Sequence, residues 1–156
     1  MIYTIIGQSG SGKTTLAKKL HKFFGTERRN WRRDVFLIDE EQIRDIYGNR
    51  DFTEKGIRRN VCDAQHLLEY LHVQGCDVVI SIMSPYRDLR ESLKDKLGIE
   101  VQEIFLHTSQ SRATRKYKVP NFESPEVNFI DLDTTKKSPD RTFSKLITNL
   151  VKLERL

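Results

Sequence analysis

Residues 7–14 constrain this chain more than any other stretch. They read Gly7, Gln8, Ser9, Gly10, Ser11, Gly12, Lys13, Thr14, a complete G-x-x-x-x-G-K-T. Residues 2–6 before them form a short, β-branched apolar run, and after them Leu16, Ala17, Leu20, Phe23 and Phe24 recur at helical spacing. The pattern therefore sits between a strand and a helix, where its chemistry requires it. Glycines let successive backbone N–H groups curl around phosphate oxygens, and the helix opening near Lys13 adds the positive end of its dipole. Lys13 is placed to reach the β and γ phosphates, the Thr14 hydroxyl is a ligand for Mg²⁺, and Thr15 closes the loop. ATP and Mg²⁺ are the expected donor and cofactor.

The remaining pattern alternates strands and helices. Strands are expected at residues 35–38, closing on Asp39, and at 78–83, 101–106 and 127–132; helices at 40–47, 53–73, 86–97 and 138–153. Five strands joined by helices imply an α/β fold: a P-loop NTPase three-layer sandwich with a five-stranded parallel sheet, helices on both faces, and ligands at the carboxyl ends of the strands. At 156 residues, with no linker or internal repeat, residues 1–156 form one domain. No apolar run approaches the roughly 20 residues needed to span a bilayer, and residues 1–6 run straight into Gly7 without a basic n-region, so a cytoplasmic protein without a membrane partner is expected.

Charge does not select a partner. The net charge of +5 divides evenly, with 13 Lys and Arg against 11 Asp and Glu in residues 1–78 and 14 against 11 in the rest. Cys62 and Cys76 make neither a disulfide framework nor a zinc site and are expected as reduced, buried thiols. His21, His66, His72 and His107 lack metal-ligand spacing and are assigned no role. A guanine-specific switch is excluded because no N-K-x-D loop occurs, and Asp45 to Gly48, which fits D-x-x-G, falls at a helix end as a C-cap. The third strand ends in Ser81 and Ser84 where a motor ATPase would place an acid. Asp39, at the end of the second strand, is the acid available beside the phosphates. Small phosphotransferases match this arrangement.

Several further stretches resemble the adenylyl-sulfate (APS) kinase family, whose members move the ATP γ-phosphate to the 3′-hydroxyl of APS. The family's G-x-S-G-S-G-K-[ST]-T loop is similar to residues 7–15, and its L-D-G-D-N-[IV]-R stretch to Ile38, Asp39, Glu40, Glu41, Gln42, Ile43, Arg44. Its G-F-S turn falls on Asp51, Phe52, Thr53, with Asn60 eight residues past the phenylalanine; its F-I-S-P-x-R-x-x-R run falls on residues 82–90, including Ser84 and Pro85. Asn121 and Phe122 match the N-F after the lid. The resemblance implies that Asp39 activates the acceptor hydroxyl and helps order Mg²⁺ with Thr14. It also implies that Phe52 and Phe122 clamp the acceptor's base while Arg44, Asn60, Ser84 and Pro85 line its site.

Three departures stand out. Glu40 and Glu41 replace the second and third residues of D-G-D. The family's arginine five residues past the G-F-S phenylalanine falls on Ile57, with Arg58 turned about 100° away along a helix. The lid is reduced to the stretch from Arg112 to Pro120, of which only Arg115, Lys116, Tyr117 and Lys118 imitate the family segment. APS is therefore the first acceptor considered. A nucleoside, a polynucleotide end or a hydroxymethylpyrimidine in DNA is the alternative, since a trimmed lid admits a larger acceptor and the basic residues suit phosphates. A non-catalytic ATP- or nucleic-acid-binding module, resting on the basic run Arg28, Arg29, Trp31, Arg32, Arg33, is a third reading; a homodimer is compatible with all of them. That run precedes the second strand and is expected at the end of the sheet away from the loop, with Trp31 packed down.

Overall fold

The structure, a computed structural model, describes residues 1–27, 33–110 and 118–156. Five strands, β1 (Ile2–Ile6), β2 (Val35–Asp39), β3 (Asp77–Ser81), β4 (Val101–His107) and β5 (Phe129–Asp133), form one parallel sheet in the order β2-β3-β1-β4-β5. The helices are α1 (Lys13–Lys22), α2 (Glu40–Ile46), α3 (Glu54–Val73), α4 (Arg87–Leu97) and α5 (Pro139–Lys152).

Burial on both faces explains the continuous apolar strands, since side chains alternate across the sheet. Tyr3 and Ile5 of β1 point to one face, where Leu16, Ala17, Leu20, Leu146 and Leu150 of α1 and α5 cover them. Ile2 and Ile6 point to the other, against Val61, Ala64 and Leu68 of α3 and Leu93 of α4. β1 thus occupies the centre, and the loop that follows it opens where the chain order reverses, the usual ligand crevice of such sheets. Among the described residues no helix is long and apolar enough to cross a membrane.

Two strands differ from the pattern-based expectation, each for a backbone reason. β3 ends at Ser81, short of the expected residue 83, where pairing with its neighbours stops at Asp39, the last residue of β2, and at Ile5 of β1; the chain then turns through Ser84, at φ 40°. β5 starts at Phe129, two residues late, because Asn128 adopts φ 53°, which extended pairing does not allow. α1 runs into a π-helical turn, Phe23–Glu27, which brings the Phe24 ring to 5.2 Å from Tyr3. Cys62 and Cys76 are free thiols, and both are partly exposed where full burial was expected.

Gly48 follows α2 with φ 61°, and the Gly48 and Asn49 N–H groups donate to Asp45 O at 3.3 Å and Arg44 O at 2.9 Å. This is a Schellman cap, so D-x-x-G here is a helix terminator. Arg33 pairs with Asp77 at 3.5 Å, at the amino end of β3 and away from the phosphate loop. Residues 28–32, with Trp31, lie outside the described residues.

Candidate active site

The loop between β1 and α1 is held in shape by its glycines and its neighbours. Gly7 has φ 143°, and a Cβ there would lie 2.1 Å from the Leu106 carbonyl of β4, so only glycine fits. Gly12, at φ 102°, is the N-cap of α1 and makes no side-chain cap bond; the first turn also lacks an acid. The orphan N–H groups of that turn are left for an anion. The Lys13 ammonium folds back over the loop and donates to Gln8 O at 3.0 Å. Burial pushes its pKa below the ordinary lysine range, and the nearby carboxylates of Glu40 and Asp39 pull it partway back.

Asp39 organises the acidic side. Parallel pairing sets it opposite Ser81, and Ser81 is in turn opposite Ile5, so the ends of β2, β3 and β1 converge. Asp39 Oδ2 accepts from Thr14 Oγ1 at 2.9 Å and from Ser81 Oγ at 2.7 Å, while Oδ1 accepts from Glu41 N–H at 3.1 Å and caps α2. Thr14 and Asp39 therefore offer an all-oxygen donor set beside the phosphate loop, which fits a small hard cation that keeps waters and phosphate oxygens as its other ligands.

The expected acceptor residues distribute unevenly. Asn60 of α3 is 1% exposed, and neither atom of its amide has a partner among the described residues. A buried amide with two unmet groups is costly unless a ligand meets it. Phe52, just before α3, is 47% exposed. Phe122 is half-buried and stacks on Phe105, with centroids 5.8 Å apart and planes at 21°. Ser84 is buried in its left-handed conformation, and its carbonyl accepts from Arg90 Nη1 at 2.7 Å. The Pro85 carbonyl accepts from Glu123 N–H at 2.9 Å, which ties the β3–α4 turn to the segment around Phe122.

Arg44 is buried, and its guanidinium is occupied by the protein. It donates to Asp51 O at 3.1 Å and Glu40 Oε1 at 3.4 Å, and lies 4.4 Å from the Phe52 ring centroid. Glu40, which stands where the resemblance has a glycine, accepts from Met83 N–H through Oε2 at 2.9 Å. It joins α2 to the β3–α4 turn. Ile57 is buried beside Met83, Tyr86 and Val119, while Arg58 turns out to Glu54 at 2.8 Å and Asp88 at 2.7 Å, as the helical geometry requires. Of the lid residues, Lys118 is exposed; Arg112, Arg115, Lys116 and Tyr117 lie outside the described residues.

Two features were missed by sequence reasoning. Gln8 contributes its side chain as well as its backbone: Nε2 donates to Val119 O at 2.7 Å and Oε1 accepts from Val119 N–H at 3.1 Å. A cavity of about 180 Å³ also opens beside the loop, lined by Ser11, Gly12, Thr15, Thr134, Lys137 and Pro139. Thr134 bridges that wall to the loop by donating to Ser11 O at 3.0 Å. No spacing in the sequence links residues 123 positions apart.

Known proteins similar to this chain include kinases. The family profile described as adenylylsulphate kinase matches residues 1–119. The bifunctional enzyme NodQ of Rhizobium meliloti is 30% identical over 114 residues, 70% of this chain, and the cytidylate kinase of Pyrococcus furiosus is 23% identical over 164 residues, 92% of this chain and 85% of that protein. The chain spans 17% of the length of NodQ and 57% of that of a Pyrococcus abyssi relative. Among solved structures, the Mycobacterium tuberculosis APS kinase CysC in complex with AMPPNP and APS superposes with a TM-score of 0.74 at 18% identity, covering 96% of each chain. With three quarters of its length matched by one family profile and the fold shared from end to end, this chain belongs to the adenylylsulphate kinase family.

Proposed function

We propose that this protein transfers the γ-phosphate of ATP to an alcohol, with the 3′-hydroxyl of APS as the acceptor. The observation that carries the reading is the meeting of the α1 N-terminus with the ends of β2 and β3: Thr14 and Ser81 both donate to Asp39, and Lys13, next to Thr14, folds over the loop onto Gln8 O. Loop N–H groups, the α1 terminus and Lys13 hold the phosphates, and the cavity lined by Thr134 and Pro139 takes the nucleoside. Thr14 and Asp39 would hold Mg²⁺, which when bound neutralises charge on the β and γ phosphates.

The step needs positioning more than covalent help. The acceptor oxygen forms a bond to the γ-phosphorus as the bond to the β,γ-bridging oxygen breaks, and Asp39 Oδ2 takes the hydroxyl proton. Phe52 and Phe122 receive the flat base, and the unpartnered Asn60 amide meets the acceptor's polar atoms. Arg44 acts by bracing Phe52.

One observation favours a second acceptor class. Buried Ile57 replaces the arginine of the family pattern, and Arg58 is engaged by two carboxylates outside the cleft, so the acceptor wall carries less positive charge than APS suits. A nucleoside hydroxyl needs less. Incubation with Mg²⁺ and γ-labelled ATP, offering APS, nucleosides and hydroxymethylpyrimidine DNA in parallel, separates the cases. Label on APS supports the first reading and label on a nucleoside the second. Labelled product on DNA alone, or no labelled product at all, contradicts both.

A further inference from the structure

We infer that Gln8 is a positioning residue that couples nucleotide loading at the phosphate loop to the wall of the acceptor cleft, through its grip on the backbone of Val119. The inference rests on the proposed nucleotide site and adds to it a link between the two substrates.

The grip is reciprocal. Val119 precedes Pro120, whose ring favours extended backbone at the residue before it, and an extended residue projects its N–H and C=O to the same side. A primary amide offers one acceptor and one donor in matching order. Gln8 meets both groups, at 3.1 Å and 2.7 Å, across 111 residues of sequence. The fixed N–H of Val119 settles which end of the amide is oxygen.

The Gln8 backbone is engaged from the other side. Its carbonyl accepts from Ser11 N–H at 3.2 Å and from the Lys13 ammonium at 3.0 Å. A triphosphate in the loop draws that ammonium to itself and removes the charged partner of Gln8 O. The residue that registers this change is therefore the one that holds Val119. Val119 is buried with Ile57 of α3 and with Met83 and Tyr86 of the β3–α4 turn, and Phe122 packs against the same cluster. Occupancy on the donor side thus reaches the acceptor wall through one side chain.

Amide exchange at Val119, measured with and without Mg-AMPPNP, reads this coupling without any acceptor. In the wild-type chain, nucleotide is expected to change the exchange rate of the Val119 amide by about tenfold. In Gln8→Leu, measured at AMPPNP concentrations that saturate the variant, the amide exchanges about tenfold faster than wild type and no longer responds to AMPPNP. Gln8→Asn carries the same amide one methylene too short and behaves like Gln8→Leu. Val119→Ala keeps the backbone groups and so keeps the response. A wild-type chain that binds AMPPNP while Val119 exchange is unmoved overturns the coupling, as does an unchanged response in Gln8→Leu or Gln8→Asn. Failure of the wild-type chain to bind AMPPNP in calorimetry overturns the nucleotide reading itself, and this inference with it.

Discussion

At the scale of single residues, Asp39 and Lys13, to which the proposed chemistry falls, are held in competing environments. Asp39 spends one oxygen on capping α2 and the other on two hydroxyl donors. Asp39→Asn keeps a group of the same shape at the cap while losing the proton acceptor, so turnover is expected to fall by about 10² or more with ATP affinity changed far less. Steady-state kinetics beside calorimetry checks the split, and equal losses in both would remove Asp39 from the proton-accepting role. Lys13 has a pKa lowered by burial, and only its cationic form suits phosphate. Deprotonation removes that charge, so ATP affinity should weaken as pH rises, starting below the ordinary lysine value of about 10.4. Calorimetric titrations on the alkaline side test this, and an affinity unchanged up to the ordinary lysine value contradicts it. Lys13 and Thr14 were legible from local spacing, and Asp39 from its place at the carboxyl end of the second strand. The Gln8 grip and the Glu40 bridge to Met83 were not, since each depends on which distant backbone group folding delivers.

At the scale of elements, the strands and helices follow from the apolar pattern, and the misses fall where single residues adopt positive φ. β3 stops before its apolar run does, with Ser84 left-handed just beyond Met83, and Asn128 delays β5 inside a run that opens at Val127. Side-chain pattern reports burial; it does not report a left-handed backbone at a non-glycine residue, and Ser84 holds its conformation through Arg90 and a buried setting. Gly48 is the legible counterpart, because a glycine after a helix announces its cap. Gly48→Ala, at φ 61° with open space around the new Cβ, is expected to cost about 1 kcal/mol from backbone strain alone. Urea unfolding gives the number, and an unchanged midpoint would show that the cap does not need the left-handed residue.

At the scale of the whole molecule, the site is assembled from strand ends that the sheet order brings together, and buried charge ties its acceptor side to the core. Glu103 of β4 is buried with Arg90 at 2.8 Å and Lys94 at 2.5 Å, and Arg90 also donates to Ser84 O and Glu123 O, both at 2.7 Å. Glu103→Ala leaves two cations without their buried partner and is expected to cost about 3–5 kcal/mol by chemical denaturation. A loss below about 1 kcal/mol would mean that water reaches the cluster. The overall α/β order was readable from alternation, while this cluster was not, because Glu103 interrupts an apolar strand and nothing local names its partners. On the proposed function, the phosphate loop delivers the γ-phosphate to an alcohol held across from it. Initial rates of 3′-phospho-APS formation from Mg-ATP and APS, in wild type and Lys13→Ala, test it most directly. Wild type is expected to form product and Lys13→Ala, still folded, to form none; equal rates in the two proteins, or no product from wild type, would contradict the account.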